Sequence, residues 1–152
     1  MQGGSDPGDW CVAADSFLPD GTHADAIRPG MMLPCYNEQP HTPNIRHLPV
    51  QRNSTHDAEC LRMVTASGAA IVASTTTPMT LRNGACVLLP DMLHHDALVY
   101  RLDGTFAWEQ VVALEPAGVR NVAKIVVHQQ CYFAGETMDA FIATHNPLNQ
   151  KP

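Results

Sequence analysis

Three Asx-Gly pairs, Asp20-Gly21, Asn83-Gly84 and Asp103-Gly104, each lie between apolar segments. Such a pair tolerates the left-handed backbone that a tight reversal needs, and between apolar runs it is the strongest short-range signal of a β-hairpin. Three of them commit the chain to a mostly β fold. Strands are expected at 11–18, 59–66, 70–75, 85–89, 97–102, 106–114, 119–128, 131–134 and 140–144. The gaps between them suit a twisted, meandering sheet system rather than βαβ units. The best helix candidate, 22–28, offers one or two turns before Pro29-Gly30 stops it. Residues 35–57 include Pro40, Pro43, Pro49 and three His, and read as a long exposed loop. No repeat of fixed period is present.

At 152 residues the chain fits one domain and can bury a real core. Apolar residues make up 45% and aromatics 6%, so the interior is expected to be built from Val, Leu, Ile, Ala and Met. A net charge of −6 and nine basic residues without a run argue against a nucleic-acid surface. The five cysteines, Cys11, Cys35, Cys60, Cys86 and Cys131, show no CxxC spacing, and the chain does not start like a signal peptide. A reduced, intracellular setting is therefore the default expectation, and the acceptor pattern Asn53-Ser54-Thr55 reads as a polar loop. The longest apolar stretches are far too short to cross a bilayer, so no membrane is expected.

Candidate chemistry sits at the two ends. Cys11 follows Trp10 at the start of a strand. A cysteine there can serve as a small buried hydrophobe. It can also attack the carbonyl of the preceding residue when the backbone is strained, converting the Trp10–Cys11 amide into a thioester. The other end reads Phe141-Ile142-Ala143-Thr144-His145-Asn146-Pro147. Asn146 can close onto its own backbone carbonyl to give a succinimide and break the following bond, with His145 as proton shuttle. A plain strand-to-turn exit is the competing reading.

The motifs also occur in a particular order. Cys11 is followed by Asp15-Ser16, Asp20-Gly21 and Arg28-Pro29-Gly30-Met31-Met32-Leu33. The chain closes with Val122-Ala123-Lys124-Ile125-Val126-Val127, Cys131-Tyr132-Phe133-Ala134-Gly135 and Phe141 to Asn146. This order resembles the Hint family, the module shared by Hedgehog autoprocessing domains, inteins and bacterial intein-like domains. Within that family the chain resembles the short bacterial intein-like domains that have no homing endonuclease.

The resemblance implies an all-β, Hint/intein-like horseshoe of twisted strands with pseudo-two-fold symmetry that brings both ends to one site. It implies an upstream flank at 1–10, the domain at 11–146 and a downstream flank at 147–152. Self-processing would proceed by an N-to-S acyl shift at Cys11 and cyclisation of Asn146 assisted by His145. The partners would be the chain's own flanking segments, with water or a thiol as acyl acceptor and no cofactor. The expected setting is a monomer in the bacterial cytoplasm, unless the host protein is exported.

The chain departs from the family pattern in three places. In Ser74-Thr75-Thr76-Thr77-Pro78-Met79-Thr80, Thr77 stands where the family has a His that hydrogen-bonds the scissile amide. With Ser74 and Thr76 nearby, its hydroxyl can orient that amide or its oxyanion, but it cannot become a cation. Cys131 falls where many inteins have a His that assists Asn cyclisation. His128, three residues earlier, points to the opposite face of a regular strand, so only one of the two can face the site unless a bulge intervenes. Pro147 carries no nucleophile, which excludes ligation of the flanks by the usual route and leaves cleavage at either end. As a proline it also restricts Asn146 and slows succinimide formation.

Two readings from other classes stand beside this one. Five Cys and eight His supply enough donors for a zinc-binding β domain, with His94-His95 and the set His41, His47 and His56 as local clusters. The chain could equally be an inactive appendage of a phage-like or secreted protein. A Ser-His-Asp hydrolase fits poorly: no GxSxG elbow is present, and Asp91, Asp96 and Glu109 have no recognisable relation to a Ser.

Overall fold

Each of the Asx-Gly pairs builds the same reversal. At Asp103-Gly104 the Gly104 N–H donates to the Arg101 carbonyl at 2.9 Å and the Arg101 N–H donates to Thr105 at 3.0 Å. Gly104 takes φ +89°, which a side chain would oppose, and Asp103 Oδ1 accepts from the backbone N–H of Thr105. Asn83-Gly84 and Asp20-Gly21 repeat the pattern. A fourth reversal of this form uses Ser67-Gly68, which lacks the Asx signature.

The computed structural model describes residues 10–37, 44–127 and 131–144. Among these the strands are β1 (Cys11–Ala13), β2 (Met32–Asn37), β3 (Asn44–Pro49), β4 (Arg52–Thr65), β5 (Ala70–Ser74) and β6 (Pro78–Thr80). They continue with β7 (Cys86–Leu88), β8 (Asp96–Tyr100), β9 (Phe106–Val126), β10 (Cys131–Ala134) and β11 (Phe141–Ala143). The helical content among the described residues is two 3₁₀ turns, Ala24–Ala26 and Leu89–Asp91. The expected helix at 22–28 shrinks to the first of these. The fold is all-β, as expected. The strands run β1-β5-β4-β9-β8-β11-β10-β2-β3, with β6 and β7 as a separate hairpin. β1 also pairs with β9, so β1, β5, β4 and β9 close into a ring.

Three segments differ from the sequence expectation. The supposed exposed loop at 35–57 is mostly strand: β2 and β3 pair from Met32↔Pro49 to Asn37↔Asn44, and β4 begins at Arg52. β3 lies at the sheet edge, where Pro49 costs no ladder bond. The first half of β4 forms a largely exposed ribbon with β9, so the apolar alternation that signals a strand is missing. Second, the expected strands 106–114 and 119–128 are one continuous β9. Leu61 pairs with Pro116 and Cys60 with Gly118, leaving Ala117 as the extra residue of a bulge that absorbs the proline. Third, β1 stops at Ala13, and Phe17 makes only isolated bridges to His23 and Gly135.

The main core gathers Trp10, Val12, Leu33, Met63, Ile125 and Ile142, among others. A second cluster holds Cys131, Phe133 and Phe141, and a third holds Cys11, Cys60 and Val122. In the stretch Phe106-Ala107-Trp108, Trp108 meets Tyr36 edge-on while Phe106 is partly exposed. Glu136, in the turn between β10 and β11, is ion-paired with Arg62 at 2.7 Å. Glu109 serves the β4–β5 turn. Burial works against its charge, but hydrogen bonds from Ser67, Thr65 and Arg101 outweigh that and hold the carboxyl below its usual range.

Gly135 pins the final hairpin. It exchanges two backbone hydrogen bonds with Phe17, at 2.8 and 3.0 Å, and a Cβ built on it would collide with the Ala140 carbonyl. Both partners are backbone, so neither can yield cheaply. Gly135→Ala is expected to cost about 3 kcal/mol of stability, read as a lowered urea midpoint with unchanged slope.

Candidate functional site

β1 is fully buried between β9 and β5, with Cys11 opposite Lys124 and Val12 opposite Ala73. This double pairing fixes the peptide bond that enters the strand. Trp10, just before it, is buried, donates its indole Nε1–H to the Ile125 carbonyl at 3.0 Å, and lies under the Lys124 ammonium at 4.8 Å. The last residue of the expected upstream flank is thus gripped by the fold.

Thr77 leaves the end of β5 through a tight turn, its N–H bonded to the Ser74 carbonyl at 3.0 Å. Its hydroxyl is fully buried and meets both polar groups of the Cys11 backbone. The Cys11 N–H donates to Thr77 Oγ1 at 3.0 Å, and Thr77 Oγ1 donates to the Cys11 carbonyl, also at 3.0 Å. Ser74 Oγ lies 2.7 Å from Thr77 Oγ1 and 3.2 Å from Thr76 Oγ1. A hydroxyl has one proton to give, and Thr77 spends it on Cys11, so Ser74 must donate to Thr77 and Thr76 to Ser74. The three side chains form a one-way relay whose last proton goes to the Cys11 carbonyl, while Thr77 Oγ1 also accepts the N–H of the Trp10–Cys11 amide. Thr77 therefore holds the nitrogen side of that amide, and both of its bonds to this strand are to the Cys11 backbone.

The Cys11 thiol is fully buried, with Sγ 3.8 Å from Nε2 of His56, an exposed residue of β4. Sequence reasoning placed His56 only in a possible zinc cluster. It lies in the stretch read as loop, with no motif around it, and only the closing of the strand ring brings it to Cys11.

Tyr132 on β10 was also missed as a site residue. Its hydroxyl is buried, and among the described residues no group lies within hydrogen-bonding geometry of it. Burial first, then the nearby Cys11 thiol, push its ionisation well above the ordinary range for a phenol, with Thr144 working the other way. It stays a neutral phenol. Thr144, at the end of β11, is fully buried, and its N–H donates to the Tyr132 carbonyl at 3.0 Å. The last described residue of the chain thus reaches a strand whose tyrosine senses the Cys11 thiol.

The other candidates fall elsewhere. Cys131 packs in the second apolar cluster with Tyr36, Leu98 and Phe133, apart from the cluster of Cys11. His128, His145 and Asn146 lie outside the described residues. Among the cysteines, burial raises Cys35 to about 12, against the opposing pull of Arg46, and burial also raises Cys60, against Arg120. Both stay protonated thiols near neutral pH. Among the described residues no cysteine is in a disulfide, and no group of three or more His, Cys, Asp or Glu could hold a metal ion.

No protein-family model and no curated protein matches the chain. Solved structures do. A Ssp DnaB mini-intein variant, M86, superposes with TM-score 0.77 at 17% identity, over 93% of this chain and 96% of that one. The DnaB intein of Synechocystis sp. PCC 6803 gives 0.72 at 16% identity, covering 90% and 97%. The bacterial intein-like domain of Clostridium thermocellum gives 0.66 at 15%, covering 90% and 99%. The chain shares its fold with these inteins and this intein-like domain, over most of its length.

Proposed function

We propose that this domain acts once on its own backbone, by attack of Cys11 on the Trp10 carbonyl and by cyclisation of Asn146. The observation that carries the reading is the Thr77 contact: a buried hydroxyl, held by Ser74, accepts the N–H of the nitrogen that must leave, directly beside a buried thiol. In the acyl shift the C–S bond forms as the C–N bond of Trp10–Cys11 breaks, leaving a thioester and a free amine at Cys11. The burial of β1 between two strands supplies positioning. Water or an external thiol resolves the thioester and frees the segment ending at Trp10. At the other end, closure of Asn146 with help from His145 would release the residues after it. Cleavage rather than ligation is the outcome, because Pro147 offers no acceptor.

The full chain is incubated with and without a small thiol and followed by intact-mass spectrometry. Thiol-dependent loss of residues 1–10 supports the acyl shift. Slow loss of 147–152, absent in Asn146→Ala, supports cyclisation. One observation favours a second reading, an inert appendage: Thr77 supplies no imidazole to protonate the leaving nitrogen. An unchanged mass in both incubations selects that reading.

A further inference from the structure

We propose that His56 is the catalytic proton carrier for Cys11, supplying from β4 the imidazole that position 77 lacks. The inference rests on the self-processing reading and deepens it. Its ground is the Sγ to Nε2 distance of 3.8 Å, a hydrogen-bonding distance for sulfur, between residues 45 apart in sequence. The thiol is fully buried while the imidazole is exposed, so the pair links the reacting atom to solvent. A neutral imidazole protonated on Nδ1 accepts the thiol proton at Nε2, and the imidazolium then donates from the same atom.

The fold determines why these two meet. His56 pairs with Val122 of β9, and β9 carries β1 through Cys11↔Lys124 and Ala13↔Val122. Alternation along the strands puts Ser54, His56 and Ala58 on one face with Arg120, Val122 and Lys124. Cys11, Ala13 and Val122 share a cluster with Cys60 on that face. The charged groups flanking His56 there are thus Arg120 and Lys124, with the Cys60 thiol along β4. β5 carries no titratable side chain. Asp57 and Glu59 point to the other face of β4, and the 3₁₀ turns packed on β4 bring Asp25 and Asp91.

The step balances without any added reagent. The Sγ proton of Cys11 moves to Nε2 of His56, and the thiolate adds to the Trp10 carbonyl carbon. As the C–N bond breaks, the imidazolium returns the proton to the departing nitrogen. The products are the thioester, the Cys11 amine and neutral His56.

The test is the rate of thiol-dependent loss of residues 1–10 from the full chain, across pH, in the wild type and in His56→Gln. An exposed strand residue is replaced, so folding is expected to survive. The variant should cleave ~10²–10⁴-fold more slowly, should lose the inflection that imidazole titration imposes, and should regain rate when imidazole is added to the buffer. A variant that keeps the wild-type rate and profile overturns the proposal and leaves the self-processing reading intact. If the wild type does not cleave at all, that reading fails, and the pair is judged by NMR titration of His56. A His56 titration that shifts in Cys11→Ala supports proton sharing; an identical titration overturns it.

Discussion

Cys11→Ala keeps residues 1–10 attached in excess thiol, while the wild type sheds them. Loss of cleavage is expected to be complete within detection, because the remaining thiols cannot substitute. Cys35 and Cys60 are buried and kept protonated, and Cys131 packs in a separate apolar cluster. Cys86 is exposed on β7, in a hairpin separate from the sheet that holds β1. Replacing a small buried thiol by a methyl should change stability little, so the urea midpoint serves as a control for folding. Cleavage that persists in this variant at the wild-type rate would remove the acyl shift from consideration.

Thr77→Val is expected to be the most destabilising change at the site. Valine has the same shape, so no cavity opens, yet the Cys11 N–H, the Cys11 carbonyl and the Ser74 hydroxyl each lose a buried partner. A buried polar group left unpaired costs about 1–3 kcal/mol, and Ser74 can turn back to Thr76, so a loss of roughly 3 kcal/mol is expected. Thr77→Ser keeps every bond and gives up one methyl, at a cost of about 1 kcal/mol. Near-equal urea midpoints for the two variants would mean that the hydroxyl relay is not what holds β1 in place.

Much of this was legible in the chain. The Asx-Gly pairs marked real reversals, and the apolar runs marked most of the strands. Cys11, Ser74 and Thr77 could be read because each belongs to a short local pattern. What stayed hidden was non-local. The first half of β4 is polar because it is exposed, so it looked like loop, and His56 was hidden with it. The continuity of β9 was masked by Pro116, which normally ends a strand and here sits in a bulge. Tyr132 gave no signal at all: a tyrosine in an apolar strand reads as packing until its hydroxyl is found buried with no partner among the described residues.

The grip on Trp10 bears on what happens after a cut. Once the bond to Cys11 opened, the indole would belong to a separate peptide, still docked under Lys124 and still tied to Ile125. The newly formed carboxyl or thioester would then linger within reach of the amine it had just left. Reversal would compete with escape, and turnover would be governed by how fast the tryptophan lets go.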